Sequence, residues 1–387
     1  MKRIYIYVIT AFALLAGACS DNNLNDDAPV VPATPDIVIP EGAAEGELLI
    51  KFVPEMTEIL DRTMKTRAAG ASTRSGIPST DEVLSILGAY DFERVFPVDS
   101  RTEEKSREAG LHLWYLVRFD KNTDLKEAME RLSGLGEISK LQINPAIQRA
   151  YNPKKKPVPV SEAALNRMRT RAAADNGFKF NDALLPHQWG YINRGAYDFA
   201  TEKAPAIVGS DVNCEEAWEL CTGDPEIIVA VLDEGVMYTH EDLTANMWVN
   251  EKEQVGSDQD NDGNGYKGDR YGYNFVKDNG NISWQAAEDT GHGTHVAGTI
   301  AAVNGNNKGV CGIAGGDGTK KGVRIMSCQV FDGDGQVRMV NEARAIKYAA
   351  DNGAVILQCS WGYNSAYSNP MQGYIPGPAT DEEWAKS

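Results

Sequence analysis

A glycine-framed histidine at the head of an apolar run constrains this chain more than any other feature. Gly291-His292-Gly293-Thr294-His295-Val296-Ala297-Gly298-Thr299 holds the imidazole of His292 between glycines. A general base there can come close to a substrate. Upstream, Ile227-Ile228-Val229-Ala230-Val231-Leu232 reads as a buried strand that delivers Asp233 at its end. Asp233 and His292, a carboxylate at a strand end and an imidazole at a helix start, are the candidate catalytic residues. Further on, residues 323–331 read as a strand and residues 340–350 as a helix closed by Asn352-Gly353. Residues 354–360 read as the next buried strand. That alternation predicts an α/β fold, a parallel sheet with helices on both faces.

The chain order Asp then His, with the text around each, resembles the subtilisin-like serine proteases (subtilases, peptidase S8). Leu185-Pro186-His187-Gln188-Trp189-Gly190 resembles the segment that opens their catalytic domain. Cys214-Glu215-Glu216-Ala217-Trp218 resembles the helix before the Asp strand, and His240-Glu241-Asp242-Leu243 is close to the family's His-Pro-Asp-Leu. The resemblance implies a serine endopeptidase acting on polypeptide substrates. In it, Asp233 fixes the tautomer of His292, and His292 takes the nucleophile's proton and returns it to the leaving amine. It also implies substrate binding at Ser360-Trp361-Gly362, where the family carries Ser-Leu-Gly, and at Gly333-Asp334-Gly335, an edge that pairs with substrate backbone. Trp361 in place of Leu changes the shape of the pocket. Glu234 stands where Ser or Thr is usual, so a second carboxylate could disturb Asp233. His295 reads as packed or hydrogen-bonded. No Glu separates the two histidines, unlike the zinc-protease helix, and no Cys or His spacing suggests zinc.

Two family elements have no counterpart in the sequence, the Gly-Thr-Ser nucleophile turn and the Ala-Gly-Asn turn that supplies the oxyanion donor. Both normally follow the strand ending at Ser360. Ser360, Ser365 and Ser368 do not sit on a Gly-flanked turn, and Thr380-Asp381-Glu382-Glu383 is a capping box with almost no helix behind it. The expectation is therefore an incomplete subtilisin-like sheet and a chain inactive as it stands. The absent oxyanion donor alone is worth about 3 kcal/mol of transition-state stabilisation. The alternatives are a non-catalytic surface module that binds peptides or inhibits a partner protease, and a degraded remnant without a stable fold.

The N-terminus opens with Lys2-Arg3, an apolar run over residues 4–16, and Gly17-Ala18-Cys19. This reads as a lipoprotein signal peptide over residues 1–18, with Cys19 the lipidated residue. Leu15 lies one place further from the cysteine than in the usual lipobox, and an ordinary secretory peptide is the alternative. A lipid anchor on Cys19 would place the protein outside the cytoplasm, at a bacterial outer membrane or cell surface. The acidic stretch of residues 20–27 is similar to surface-export signals of some Gram-negative lipoproteins.

Residues 19–46 read as a flexible tether rich in Pro and Ala. Residues 47–150 read as a small α+β domain. Its strands fall at 47–53, 111–119 and 138–147, and its helices at 81–87 and, after Asn122-Thr123, at 125–132. Strand-helix-strand given twice is the ferredoxin-like arrangement, and its place before a protease domain resembles the subtilase propeptide, a chaperone and inhibitor. An unrelated packing domain is the alternative. Residues 151–180 form a basic linker, and Arg171 marks either a maturation cut or a solvated charge run. The resemblance implies that residues 181–387 are the N-terminal part of the catalytic domain.

With 38 basic and 55 acidic side chains the net charge is −17, which argues against nucleic acid as a partner. Part of that charge is concentrated in one loop. Asp258, Asp260, Asp262, Asn264 and Asp269 follow calcium-loop spacing around Gly263. The flanks lack two clear helices, so calcium and a metal-free Asp/Asn/Gly loop both remain open. Beyond Cys19, Cys214, Cys221, Cys311, Cys328 and Cys359 are an odd set and no disulfide framework, with Cys328 and Cys359 read as core residues.

Overall fold

The computed structural model describes residues 43–66, 73–151, 177–195, 206–285, 289–333 and 337–363, with isolated positions 39, 161, 163 and 166. Cys19, Arg171 and the capping box at 380–383 lie outside the described residues.

The first unit is built from β1 (Ala43–Phe52), α1 (Thr57–Thr66), α2 (Pro78–Ile86), β2 (Asp91–Arg94), α3 (Glu103–Glu108), β3 (Trp114–Arg118), α4 (Leu125–Ser133) and β4 (Ile138–Pro145). The strands form an antiparallel sheet in the order β2-β3-β1-β4. Its core lies between one sheet face and the helices. Leu48, Ile50 and Phe52 of β1 alternate inward with Tyr115 and Val117 of β3, against Leu84, Ala128 and Leu132 of the helices. The opposite face is apolar too, through Leu49, Leu116, Val95 and Phe96. Three local expectations change. Leu111–Leu113 is a 3-10 turn rather than strand, because Gly110 at φ 70° breaks the extended run. The cap of α4 is Asp124, whose carboxylate accepts the Glu127 N–H at 2.9 Å, rather than Asn122-Thr123. Ile147 leaves β4 and begins a separate strand, β5 (Ile147–Arg149).

The second unit contains α5 (Cys214–Leu220), β6 (Ile228–Glu234), β7 (Gly272–Asn274), α6 (His292–Ala301), β8 (Arg324–Phe331), α7 (Met339–Asp351), β9 (Ala354–Cys359) and β10 (Trp361–Tyr363). Strands β7-β8-β6-β9 form a wholly parallel sheet. Alternate residues of β6 face opposite ways. Val229 and Val231 pack with Ala297 and Ala301 of α6, while Ala230 and Leu232 pack with Ala345, Tyr348 and Ala349 of α7. Helices therefore cover both faces of this α/β sheet. Strand β9 is not buried as expected: Val355 and Ile356 are 55% and 51% exposed. It pairs only with β6, the edge strand's position in this sheet, and Cys359 is likewise exposed rather than in the core. Cys328, by contrast, is buried in the core.

The two units share an interface. Val340 of α7 is buried against Leu49, Val95, Phe96 and Leu116 of the first sheet's outer face. Arg344 Nε donates to the Val95 carbonyl at 2.7 Å, and the Val340 amide donates to Asn144 Oδ1 at 3.1 Å.

Candidate active site

Strand β6 carries Asp233 and Glu234 at its end, where the pairing with β8 shifts by one residue between them. Both side chains are fully buried, and they serve different partners. Asp233 faces His292, whose Nδ1 lies 3.0 and 2.9 Å from its two oxygens. Asp233 Oδ1 also accepts the Glu234 N–H at 2.7 Å. Glu234 reaches to the start of α6, accepting the N–H groups of Thr290 at 2.8 Å and His292 at 3.2 Å. It accepts from the Thr290 hydroxyl at 3.1 Å as well. A carboxylate there satisfies donors that helix geometry leaves unpaired and suits the positive end of the helix dipole. Glu234 thus anchors the segment that presents His292 instead of crowding Asp233.

The glycines have separate reasons. Gly291 stands at φ 77° immediately before the helix. Gly293 passes so close to β6 that a Cβ would lie 2.2 Å from the Glu234 carbonyl oxygen. That approach sets the distance from His292 to Asp233. His295 is exposed and lines a separate cavity of about 570 Å³ with His187, His240 and Trp189.

A strand of the first unit fills the groove beside this pair. β5 runs antiparallel to β10, with Ile147 opposite Tyr363, Gln148 opposite Gly362 and Arg149 opposite Trp361. The Ala150 N–H donates to the Ser360 carbonyl at 2.8 Å. Ser360, Trp361 and Gly362 therefore present backbone to an extended peptide, as β-augmentation requires. Trp361 Nε1 donates to the Leu232 carbonyl at 3.0 Å, fixing the indole against β6. Gly333, at φ 60°, accepts from Arg149 Nη2 at 3.0 Å, while Gly335 lies outside the described residues. Arg149 also forms an ion pair with Glu234, Nε to Oε1 at 3.2 Å.

Tyr151, the next residue but one, covers the Asp233–His292 pair. Its ring stacks on the His292 imidazole at 3.6 Å between centroids and 9° between planes. Its hydroxyl donates to Asp233 Oδ1 at 3.1 Å. Burial first, then the negative charge of Asp233, pushes the phenol's pKa far up, so it stays a neutral donor. Among the described residues no serine is hydrogen-bonded to His292. The sequence offered no local signal for Ile147, Arg149 or Tyr151, because their role comes from where the first unit docks.

The acidic loop gathers a different set from the one its spacing predicts. One oxygen each of Glu253, Asp262 and Asp269 lies within 4.8 Å of the others. Asp260 is consumed elsewhere, accepting the N–H groups of Gly263, Asn264 and Gly265. Asn264 supports the group from outside, with Nδ2 donating to Asp269 at 2.9 Å, and Asp258 is not in it. Without flanking helices the loop does not follow calcium-loop register, so Glu253 enters from outside the motif. Asp269 is held up to about 6, by burial first, and also by the charges of Asp262 and Glu253. Asp262 Oδ1 is buried with no hydrogen-bond partner, on a side chain only 3% exposed. Three buried carboxylates with an unpaired oxygen among them suit a hard cation bound through oxygen.

Residues 224–383 match the family model described as Peptidase_S8, subtilase family. Subtilisin-like protease 1 of Plasmodium vivax is 32% identical over 214 residues, 54% of this chain and 30% of that protein. Kexin of Saccharomyces cerevisiae is 28% identical over 238 residues, 61% of this chain and 24% of that protein. The chain thus spans less than a third of the length of these curated relatives. Among solved structures, a serine protease of Aeromonas sobria in complex with its chaperone is similar, at 23% identity and a TM-score of 0.36. That match covers 50% of this chain and 28% of that one.

Proposed function

Because residues 224–383 belong to the subtilase family, we propose that this chain carries the acid–base half of a serine endopeptidase, held latent by its own N-terminal unit. The observation that carries the reading is the Asp233–His292 pair at 2.9 Å beneath Tyr151. In such a site Asp233 holds the Nδ1 proton and leaves Nε2 free to accept a proton from a serine nucleophile, then to return it to the leaving amine. The groove at residues 360–362 takes the substrate as an added strand. β5 occupies it as a substrate would, which supports a propeptide role for residues 47–150. The buried Glu234 carboxylate, paired there with Arg149, favours substrates that bring a basic side chain to the same place. The substrate class is therefore an extended polypeptide.

The natural gene product, assayed on a denatured polypeptide, tests the reading. Turnover lost with a serine-directed inhibitor and in His292→Ala supports it. No turnover after the N-terminal unit has been displaced contradicts it. The chain of 387 residues alone is expected to show none. The filled groove, with no serine on His292 among the described residues, equally favours a second reading, a surface module that captures peptides by strand addition. That module would bind peptides without cleaving them.

Glu253, Asp262 and Asp269 would hold a calcium ion, which when bound neutralises the three carboxylates and fixes the loop. Cys19, behind its basic and apolar leader, would carry the lipid anchor that keeps the protein at an outer membrane or cell surface.

A further inference from the structure

The acidic loop touches the N-terminal unit at Asp262 and at Gly265. Arg101, just before α3, places Nη1 3.6 Å from Asp262 Oδ2. The same guanidinium is held by Asp99 at 2.7 Å and donates to Asn352 Oδ1, at the end of α7, at 3.1 Å. Gly265 of the loop packs directly on the unit as well: a Cβ there would lie 2.4 Å from Pro97 Cβ. The positive charge of Arg101 therefore lies within ion-pair distance of a carboxylate that faces the cation position, although it belongs to the other unit.

We propose that Arg101 is a tethered competitor of the cation, so that calcium binding at Glu253, Asp262 and Asp269 and docking of the N-terminal unit oppose each other. The inference rests on the calcium reading above and adds the sign of its coupling to latency. A divalent ion at the carboxylates repels the guanidinium and takes the Asp262 oxygens. Conversely, Arg101 in place lowers the affinity of the site. Linkage makes the two effects equal in size. Arg101 is 38% exposed at its side chain, which screens the interaction, so the coupling factor is about three- to tenfold.

Calcium titration by calorimetry on the full chain, wild type against Arg101→Gln and Arg101→Lys, reads one side of the coupling. Hydrogen exchange of the Val340 amide, which crosses the interface to Asn144, reads the other. Expected results are calcium binding about three- to tenfold tighter in Arg101→Gln, little change in Arg101→Lys, and Val340 exchange accelerated by the same factor in saturating calcium. Equal calcium affinity in wild type and Arg101→Gln, or slower Val340 exchange with calcium, overturns the competition while leaving the site intact. No calcium binding in any variant overturns the site itself, and the competition with it.

Discussion

Replacing Arg149 with Gln should loosen β5 from the groove while leaving both units folded. Arg149 is 14% exposed and its partner Glu234 fully buried. Removing one member of a buried pair costs about 3–5 kcal/mol when the other is left uncompensated. Glu234 keeps three donors, from Thr290 and His292, and water reaches it once the segment leaves. The loss should therefore fall to the scale of the charged hydrogen bond that Arg149 donates from Nη2 to the Gly333 carbonyl at 3.0 Å, about 1.5–3 kcal/mol. At 1.4 kcal/mol per tenfold this raises the open population by about 10- to 150-fold. The reporter is the Ala150 amide, which donates to the Ser360 carbonyl and exchanges only when the segment lifts. Its exchange should speed by that factor in Arg149→Gln and by less in Arg149→Lys. In a Glu234→Gln background the Arg149 change should matter less, because only its hydrogen bond to the Gly333 carbonyl is then lost. An Ala150 exchange rate unchanged by Arg149→Gln would refute the reasoning.

Acidification should weaken the N-terminal unit. His112 is buried and its pKa is lowered, by burial first and then by Arg107 and Arg94, against the opposing charges of Asp61 and Glu103. The unfolded chain therefore takes up the proton more readily, and stability is lost as pH falls below about 6.5. Melting followed from pH 7 to 5 should show the decline, and His112→Gln should flatten it. Gly293→Ala forces a Cβ against the Glu234 carbonyl and should cost about 1–3 kcal/mol by overpacking; a melting temperature equal to wild type would count against that close approach. Cys19→Ala should abolish incorporation of labelled fatty acid and release the protein from membranes, and retained label would remove the anchor from the account.

The acid–base pair was legible because each member stands at an element boundary with a distinctive neighbourhood: an apolar strand ending in Asp233, and glycines framing His292. Strands β6, β8 and β9 of the parallel sheet were legible in the same way, from largely apolar runs, whereas β7 is only Gly272–Asn274 and carries no such run. What was not legible depends on partners distant in the chain. Glu234 beside Asp233 reads as a disturbance until its carboxylate is seen at the start of α6. The loop's spacing points to Asp258 and Asp260, yet Asp260 is spent on backbone amides and Glu253 takes part instead. Alternation predicts that the strand now seen as β3 starts at Leu111, but Gly110 makes a turn there. Tyr151 has no motif at all, and it covers the imidazole only because β5 pairs with β10.

The Nδ1 proton of His292 offers the sharpest test, observed by NMR in the full chain labelled with nitrogen-15 at histidine. A proton held between Nδ1 and a buried carboxylate, and shielded by a stacked tyrosine, should resonate far downfield and exchange slowly. It should vanish in Asp233→Ala and exchange faster in Tyr151→Ala. A His292 ring with Nδ1 unprotonated at neutral pH, or a downfield signal indifferent to Asp233, would contradict the pairing from which the whole account is built.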